Sequence, residues 1–138
     1  MLVILGLAAA PLLLACMQSP PPSAQVRDGK RPIVGDDLRH FVSGRQIGWT
    51  EPEHITNTPH SHRYFADGRV EDLGPGARVG TWVVRGDRVC RRYGQVAPYE
   101  ICDQYYSDRG GRFYMRNRWT AEMGAQPFYE VYVTDITN

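Results

Sequence analysis

Lysine is nearly missing from this chain: among 16 Lys+Arg residues only Lys30 is a lysine. Charge of one sign is missing too, since those 16 stand against 15 Asp+Glu for a formal net charge of +1. Proteins that hold nucleic acid by its backbone carry a clear basic excess, so no nucleic-acid partner is expected. No apolar run reaches the roughly 20 residues a membrane helix requires, because the run from Met1 stops at Ala15. Gly-x-Ser-x-Gly, His-Glu-x-x-His and a phosphate-binding glycine loop are all missing. The chain therefore reads as a non-enzyme without a cofactor. Cysteine is scarce, with three residues: Cys16, Cys90 and Cys102.

What is present begins with export. Met1 to Ala15 fits the apolar region of a secretory signal. Its end, Leu13-Leu14-Ala15-Cys16, resembles the lipobox of bacterial lipoproteins. That resemblance implies that Cys16 is lipidated and becomes the mature N-terminus. The organisation expected is a signal peptide over 1–15, a lipidated cysteine with a proline-rich tether over 16–32, and a β domain over 33–138. At about 3.1 Å per residue the tether reaches up to ~50 Å from the membrane. Met17, where an Asp is absent, resembles lipoproteins sent to the outer membrane. The location implied is the cell envelope, facing the periplasm, with a secreted periplasmic protein as the alternative. The remaining Cys90 and Cys102 form the even pair of an oxidising compartment and are read as a disulfide. Without a CxxC, a spacing of this kind is a poor zinc framework.

The 138 residues suit one domain. Gly 14 and Pro 10 punctuate it too often for long helices. One short helix is expected, capped by Asp36, with Leu38, Phe41 and Val42 on one face and Gly44 as its stop. Strand-like runs follow at 46–50, 61–66, 78–85, 88–93, 100–107, 112–119 and 128–136, separated by turn signals such as Asp67-Gly68 and Gly86-Asp87. The fold class predicted is mainly β: an antiparallel meander of about seven to eight strands. It closes as a barrel or folds over as a sandwich, the barrel preferred, with the helix covering one end. Alternation places Gly80, Trp82 and Val84 on one face of their strand, with Trp82 using the space Gly80 leaves. Trp82, Phe113, Met115 and Trp119 are expected to fill the interior.

Together, Tyr64-Phe65 before Asp67-Gly68, then Gly80-Thr81-Trp82-Val83-Val84, then Cys90 and Cys102 with Tyr105-Tyr106, resemble a group of small exported bacterial proteins of unknown function. The resemblance covers about Leu38 to Tyr114. It implies a fold and a location and brings no activity.

Two constellations carry possible chemistry. No metal site is expected; His60 and His62 share a strand face, and with His54 they are the residues that could form one. Alternation turns Ser61 away from both rings, which removes it as a nucleophile. Arg112, Arg116 and Arg118 alternate with apolar residues and form a candidate face for an anionic envelope partner. The function read from the sequence is therefore a non-catalytic, lipid-anchored structural or interaction protein, its oligomeric state open. The alternatives are a lipocalin-like barrel that binds a small molecule and an inhibitor of a periplasmic hydrolase. The anchor is directly testable: wild type should incorporate labelled palmitate, and Cys16→Ser should abolish labelling and move the protein from the membrane to the soluble periplasm. An unlabelled wild type removes the anchor from the account.

Overall fold

The structure is a computed structural model, and it describes residues 29–52, 57–94, 100–116 and 128–136. Cys16, His54, Arg118 and Trp119 lie outside those residues. The described chain runs β1 (Arg31–Pro32), α1 (Gly35–Val42), β2 (Arg45–Pro52), β3 (Asn57–Tyr64), β4 (Arg69–Asp72), β5 (Arg78–Arg85), β6 (Arg88–Arg92), β7 (Ile101–Ser107), β8 (Phe113–Arg116) and β9 (Tyr129–Asp135). Every pairing is antiparallel. The order β7-β6-β5-β4-β3-β2-β9-β8 returns from β8 to β7 and closes an eight-stranded barrel, with β1 as an extra strand on β7. Closure decides for the barrel over the sandwich.

Two short strands lie where the sequence suggests none. Arg69–Asp72 has four residues between turn signals, too few to display a period. Arg31–Pro32, read as tether, pairs with Tyr106 and Ser107. Since β8 holds the other edge of Tyr106 and Ser107, β1 occupies the edge that β6 uses further along β7.

Side chains of one parity point inward, as alternation requires. Ile47, Tyr64, Val70, Val89, Tyr105 and Met115 are fully buried. The helix closes the end where the turns after β3, β5 and β7 gather. It buries Leu38, Phe41 and Val42 as the spacing predicts, and the Phe41 ring lies 4.8 Å from Phe113 and 5.5 Å from Tyr105. The backbone N–H of Gly35 donates to the Gly86 carbonyl at 3.0 Å, fixing the helix to the β5–β6 turn. The expected cap is corrected: Val34 is the N-cap residue, and Asp36 and Asp37 sit in the first turn, where the helix dipole favours acids.

Cys90 and Cys102 face each other across β6 and β7, their sulfurs 2.12 Å apart at disulfide distance. A bond closing that short loop contributes about 3 kcal/mol by the chain-entropy model.

Trp82 is buried, but it does not use the space beside Gly80. Its indole Nε1–H donates to the Phe65 carbonyl at 2.8 Å and its backbone N–H to the Gly68 carbonyl at 2.8 Å, tying β5 to the β3–β4 turn. The space at Gly80 belongs instead to the Arg92 carbonyl and the Tyr93 ring, 2.2 Å and 2.8 Å from where a Cβ would stand. Because the nearer atom is backbone, Gly80→Ala should destabilise the domain by about 1–3 kcal/mol. Thr81→Ala, on the exposed face, should stay within about 0.5 kcal/mol. Urea unfolding of both variants checks this, and equal midpoints would show that β5 and β6 do not approach so closely.

Candidate functional site

The interior is not uniformly apolar, which corrects the expected filling. Trp82, Met115 and, half-buried, Phe113 do line it, but Arg91, Asp103 and His62 are buried with them. Arg91 is inside because a two-residue turn at Gly86-Asp87 pairs Arg85 with Arg88 and so sets Arg91 opposite the inward Trp82. Its Nη2 donates to Asp103 Oδ2 at 2.5 Å. Its Nη1 contacts the nitrogens of the His62 ring and reaches the Tyr93 hydroxyl at 3.5 Å. Tyr64 carries the network onward, its hydroxyl 3.3 Å from His62 Nδ1 and 3.2 Å from the Tyr105 hydroxyl.

In the closed ring β3 and β7 lie four strands apart, on opposite walls. The Tyr64–Tyr105 hydrogen bond therefore crosses the lumen. This crossbar separates an apolar half, under the helix, from a more polar half that holds Trp49, His60, Asp72 and Tyr93.

The charges follow from burial. Burial works against the Arg91 charge, but Asp103 and the tyrosine oxygens around it outweigh that effect and hold the guanidinium protonated. Burial pushes the Asp103 carboxyl up, with Arg91 pulling it back. Burial first, and the Arg91 charge second, hold His62 well below its ordinary value. His62 is thus a neutral imidazole, and its Nε2, 3.9 Å from Asp72 Oδ1, makes no ion pair there. Tyr64 and Tyr105 are pushed up by burial and stay protonated.

His60 and His62 do share the inward face, and both rings pack on Trp49, at 5.4 Å and 4.8 Å. Geometry disfavours a metal at His62, because a cation there would meet the Arg91 guanidinium. Among the described residues Cys90, Cys102 and Glu100 bring three metal-capable atoms within 4.8 Å. The two sulfurs are already bonded to each other, and Glu100 accepts from Arg85 at 2.9 Å. Ser61 points outward, as alternation predicts, where its hydroxyl accepts from Gln46.

Of the expected arginine face, Arg112 and Arg116 lie among the described residues and Arg118 does not. Tyr114, placed by alternation beside the solvated arginines, is buried. Arg116 is half-buried and its Nε has no hydrogen-bond partner. Arg112 instead lines an open groove of about 670 Å³ at the helix-capped end, formed by Gly29, Lys30, Arg31, Asp108, Arg109, Gly110, Arg112 and Tyr114. Four cations and one carboxylate face it. Asp108 Oδ1 accepts the backbone N–H groups of Gly110 (2.8 Å) and Arg112 (3.0 Å); Oδ2 accepts Arg112 Nε–H (3.0 Å) and the Tyr114 hydroxyl (2.8 Å). Those bonds, the Arg112 backbone bond first and the Tyr114 hydroxyl second, hold its carboxyl below the usual range. Lys30 Nζ lies 4.6 Å from the centre of the Tyr114 ring and 5.0 Å from that of Phe128. Among the described residues neither Arg31 nor Arg109 has an anionic partner.

Sequence reasoning missed Lys30, Arg31 and Arg109. The signal available was Asp108-Arg109-Gly110-Gly111-Arg112 itself, an Asp-led turn that sets two arginines on one rim. Nothing in the sequence indicates that Lys30 and Arg31 pack beside it. Comparison with family models, with curated proteins and with solved structures gives no match.

The buried imidazole makes stability depend on pH. Unfolded, His62 takes a proton near its ordinary value of 6.5; folded, it resists doing so. The unfolded state therefore binds more protons in acid, so this contribution is complete above pH 6.5 and is lost as pH falls below it. The slope is at most about 1.4 kcal/mol per pH unit for one proton. Asp103, raised by burial, acts in the opposite sense and flattens the curve as the carboxylate range is approached. Denaturant midpoints between about pH 7 and pH 5 should fall for the wild type and fall less for His62→Gln. Equal slopes would remove His62 as the origin.

Proposed function

We propose that the protein is a non-catalytic, lipid-anchored component of the bacterial cell envelope that engages an anionic partner through the Lys30–Arg31–Arg109–Arg112 groove. One observation carries the reading. Among the described residues four cations line a single groove with one carboxylate in its lining, Asp108, which already accepts four hydrogen bonds. Glu130 acts on Arg112 from the strand beside Tyr114. In a chain of net charge +1 this concentration of cations is local: among the described residues Arg31 and Arg109 have no anionic partner. Arg112 is paired with Asp108, and most other arginines with acids of their own: Arg45 with Asp135, Arg69 with Glu71, Arg78 with Asp72, Arg85 and Arg92 with Glu100. Arginine suits the task, because its planar fork binds carboxylate or phosphate oxygens in pairs. The anchor rests on the lipobox resemblance at Cys16. The non-catalytic reading is supported by the crossbar, whose titratable groups are buried and bonded to one another.

A second reading, the small-molecule barrel, is favoured by one observation: Trp49 Nε1 and Arg91 Nε are buried donors without a hydrogen-bond partner. A ligand reaching the polar half of the lumen would have to offer them acceptor atoms.

The test uses the mature chain with Cys16→Ser, so that no lipid contributes, and fluorescent polyphosphate as the anion. Binding should weaken steeply with salt and be lost in the triple variant Arg31→Gln, Arg109→Gln, Arg112→Gln. The thermal melt should change little, because surface substitutions of this kind alter stability by about 0.5 kcal/mol or less each. A triple variant that binds as well as its parent overturns the reading.

A further inference from the structure

We infer that the occupant of the groove is a phosphate-bearing lipid headgroup of the membrane that holds the protein's own anchor, so that the barrel lies with its helix-capped end on the bilayer. This rests on the groove reading and names its partner.

The first argument is covalent. Gly29, Lys30 and Arg31 form one side of the groove, and twelve residues separate Gly29 from Cys16. Fully extended, that connection spans no more than roughly 45 Å. A site joined to its surface by so short a link sees it at an effective concentration in the millimolar range, so weak intrinsic affinity suffices. An acyl anchor combined with a basic patch is a two-signal attachment.

The second argument is chemical. The groove is open to solvent, and part of its rim is set in advance. Asp108 engages only the Nε of the Arg112 guanidinium. Lys30 is held over two aromatic rings, with its charge kept at the rim. The backbone of Arg31 is placed by its pairing with Ser107. Arg112 and Lys30 are therefore positioned before binding and lose little side-chain freedom on meeting a small phosphate. The helix at the same end exposes Asp36 and Asp37. Its last turn exposes Arg39, so the acids oppose the bilayer only at the first turn, and the four-cation groove sets the side toward which the barrel tilts.

The orientation has a consequence for the rest of the molecule. With the helix against the membrane, the polar half of the barrel, with Trp49, His60 and Tyr93, faces away from it.

The experiment measures co-sedimentation of the mature Cys16→Ser chain with vesicles of phosphatidylcholine alone and of phosphatidylcholine mixed with phosphatidylglycerol, at millimolar accessible lipid to match the concentration the tether supplies. Binding should need the anionic lipid. The triple variant described above should bind on the order of a hundredfold more weakly, at about a factor of five per cation removed. Groove-dependent binding to polyphosphate but not to anionic vesicles overturns this inference and leaves the anionic-partner reading standing. Vesicle binding that survives the triple substitution also overturns it. Failure to bind either probe overturns both.

Discussion

Everything inside this barrel is arranged around a guanidinium that cannot leave. Closing eight strands fixes the lumen at a width that side chains just fill, and it fixes which residue of each strand points in. The turn at Gly86-Asp87 sets Arg91 opposite Trp82, so once the tryptophan is inside the arginine must be as well. A buried charge without a partner costs several kcal/mol. The neighbouring strand supplies Asp103 diagonally across from Arg91, and the far wall supplies His62 and Tyr64. Such a pair contributes little net stability, since an apolar replacement of both partners is often neutral or better, whereas losing one partner costs about 3–5 kcal/mol. Its effect is on shape. The hydrogen-bonded crossbar from β3 to β7 spans the lumen, whose width strand number sets, and divides it.

That division explains how the two halves differ. Under the helix, Leu38, Phe41 and Val42 pack against Tyr105 and Phe113, and the end is sealed by apolar contact. Beyond the crossbar the inward residues are His60, Asp72, Tyr93 and Trp49, a mixture with hydrogen-bonding needs of its own. The sealed end carries the basic groove, and β1 packs there because Arg31 and Pro32 extend the edge of β7 past the start of β6. One short strand thus brings Lys30 and Arg31 to the turn that presents Arg109 and Arg112.

Much of the fold could be read from residue order. The Leu38, Phe41 and Val42 face, the Gly86-Asp87 hairpin, the Gly80-Trp82-Val84 parity and the Cys90–Cys102 opposition all rest on local periods and turn chemistry, and these survive in the barrel. The interior was legible only in principle. Arg91 has the parity of Val89 and sits across from Trp82, so pairing the strands through the turn would have placed it inside. Composition argued the other way, because an arginine beside Arg88 and Arg92 looks like part of a solvated cluster. At Tyr114 alternation alone fails for the complementary reason. Its face of β8 points outward, but Lys30 lies over it, and what covers the outside of a barrel is not encoded in the alternation of one strand. The groove lies furthest from sequence reasoning, since it joins residues 29–31 to residues 108–114 through tertiary pairing alone.

The preference for arginine over lysine acquires a physical meaning at these positions, whatever its origin. At Arg91 separate nitrogens address separate neighbours: Nη2 meets Asp103 while Nη1 meets His62 and Tyr93. A single ammonium on a flexible stem offers its donors from one point and would hold that geometry less firmly. At Arg112 the Nε is committed to Asp108, which fixes the plane of the guanidinium without consuming its terminal nitrogens. The same side chain thus serves as an internal brace and as an oriented surface cation. In both cases the position of the charge is set by a neighbouring aspartate: Asp103 neutralises Arg91 inside the barrel, and Asp108 orients Arg112 at its rim.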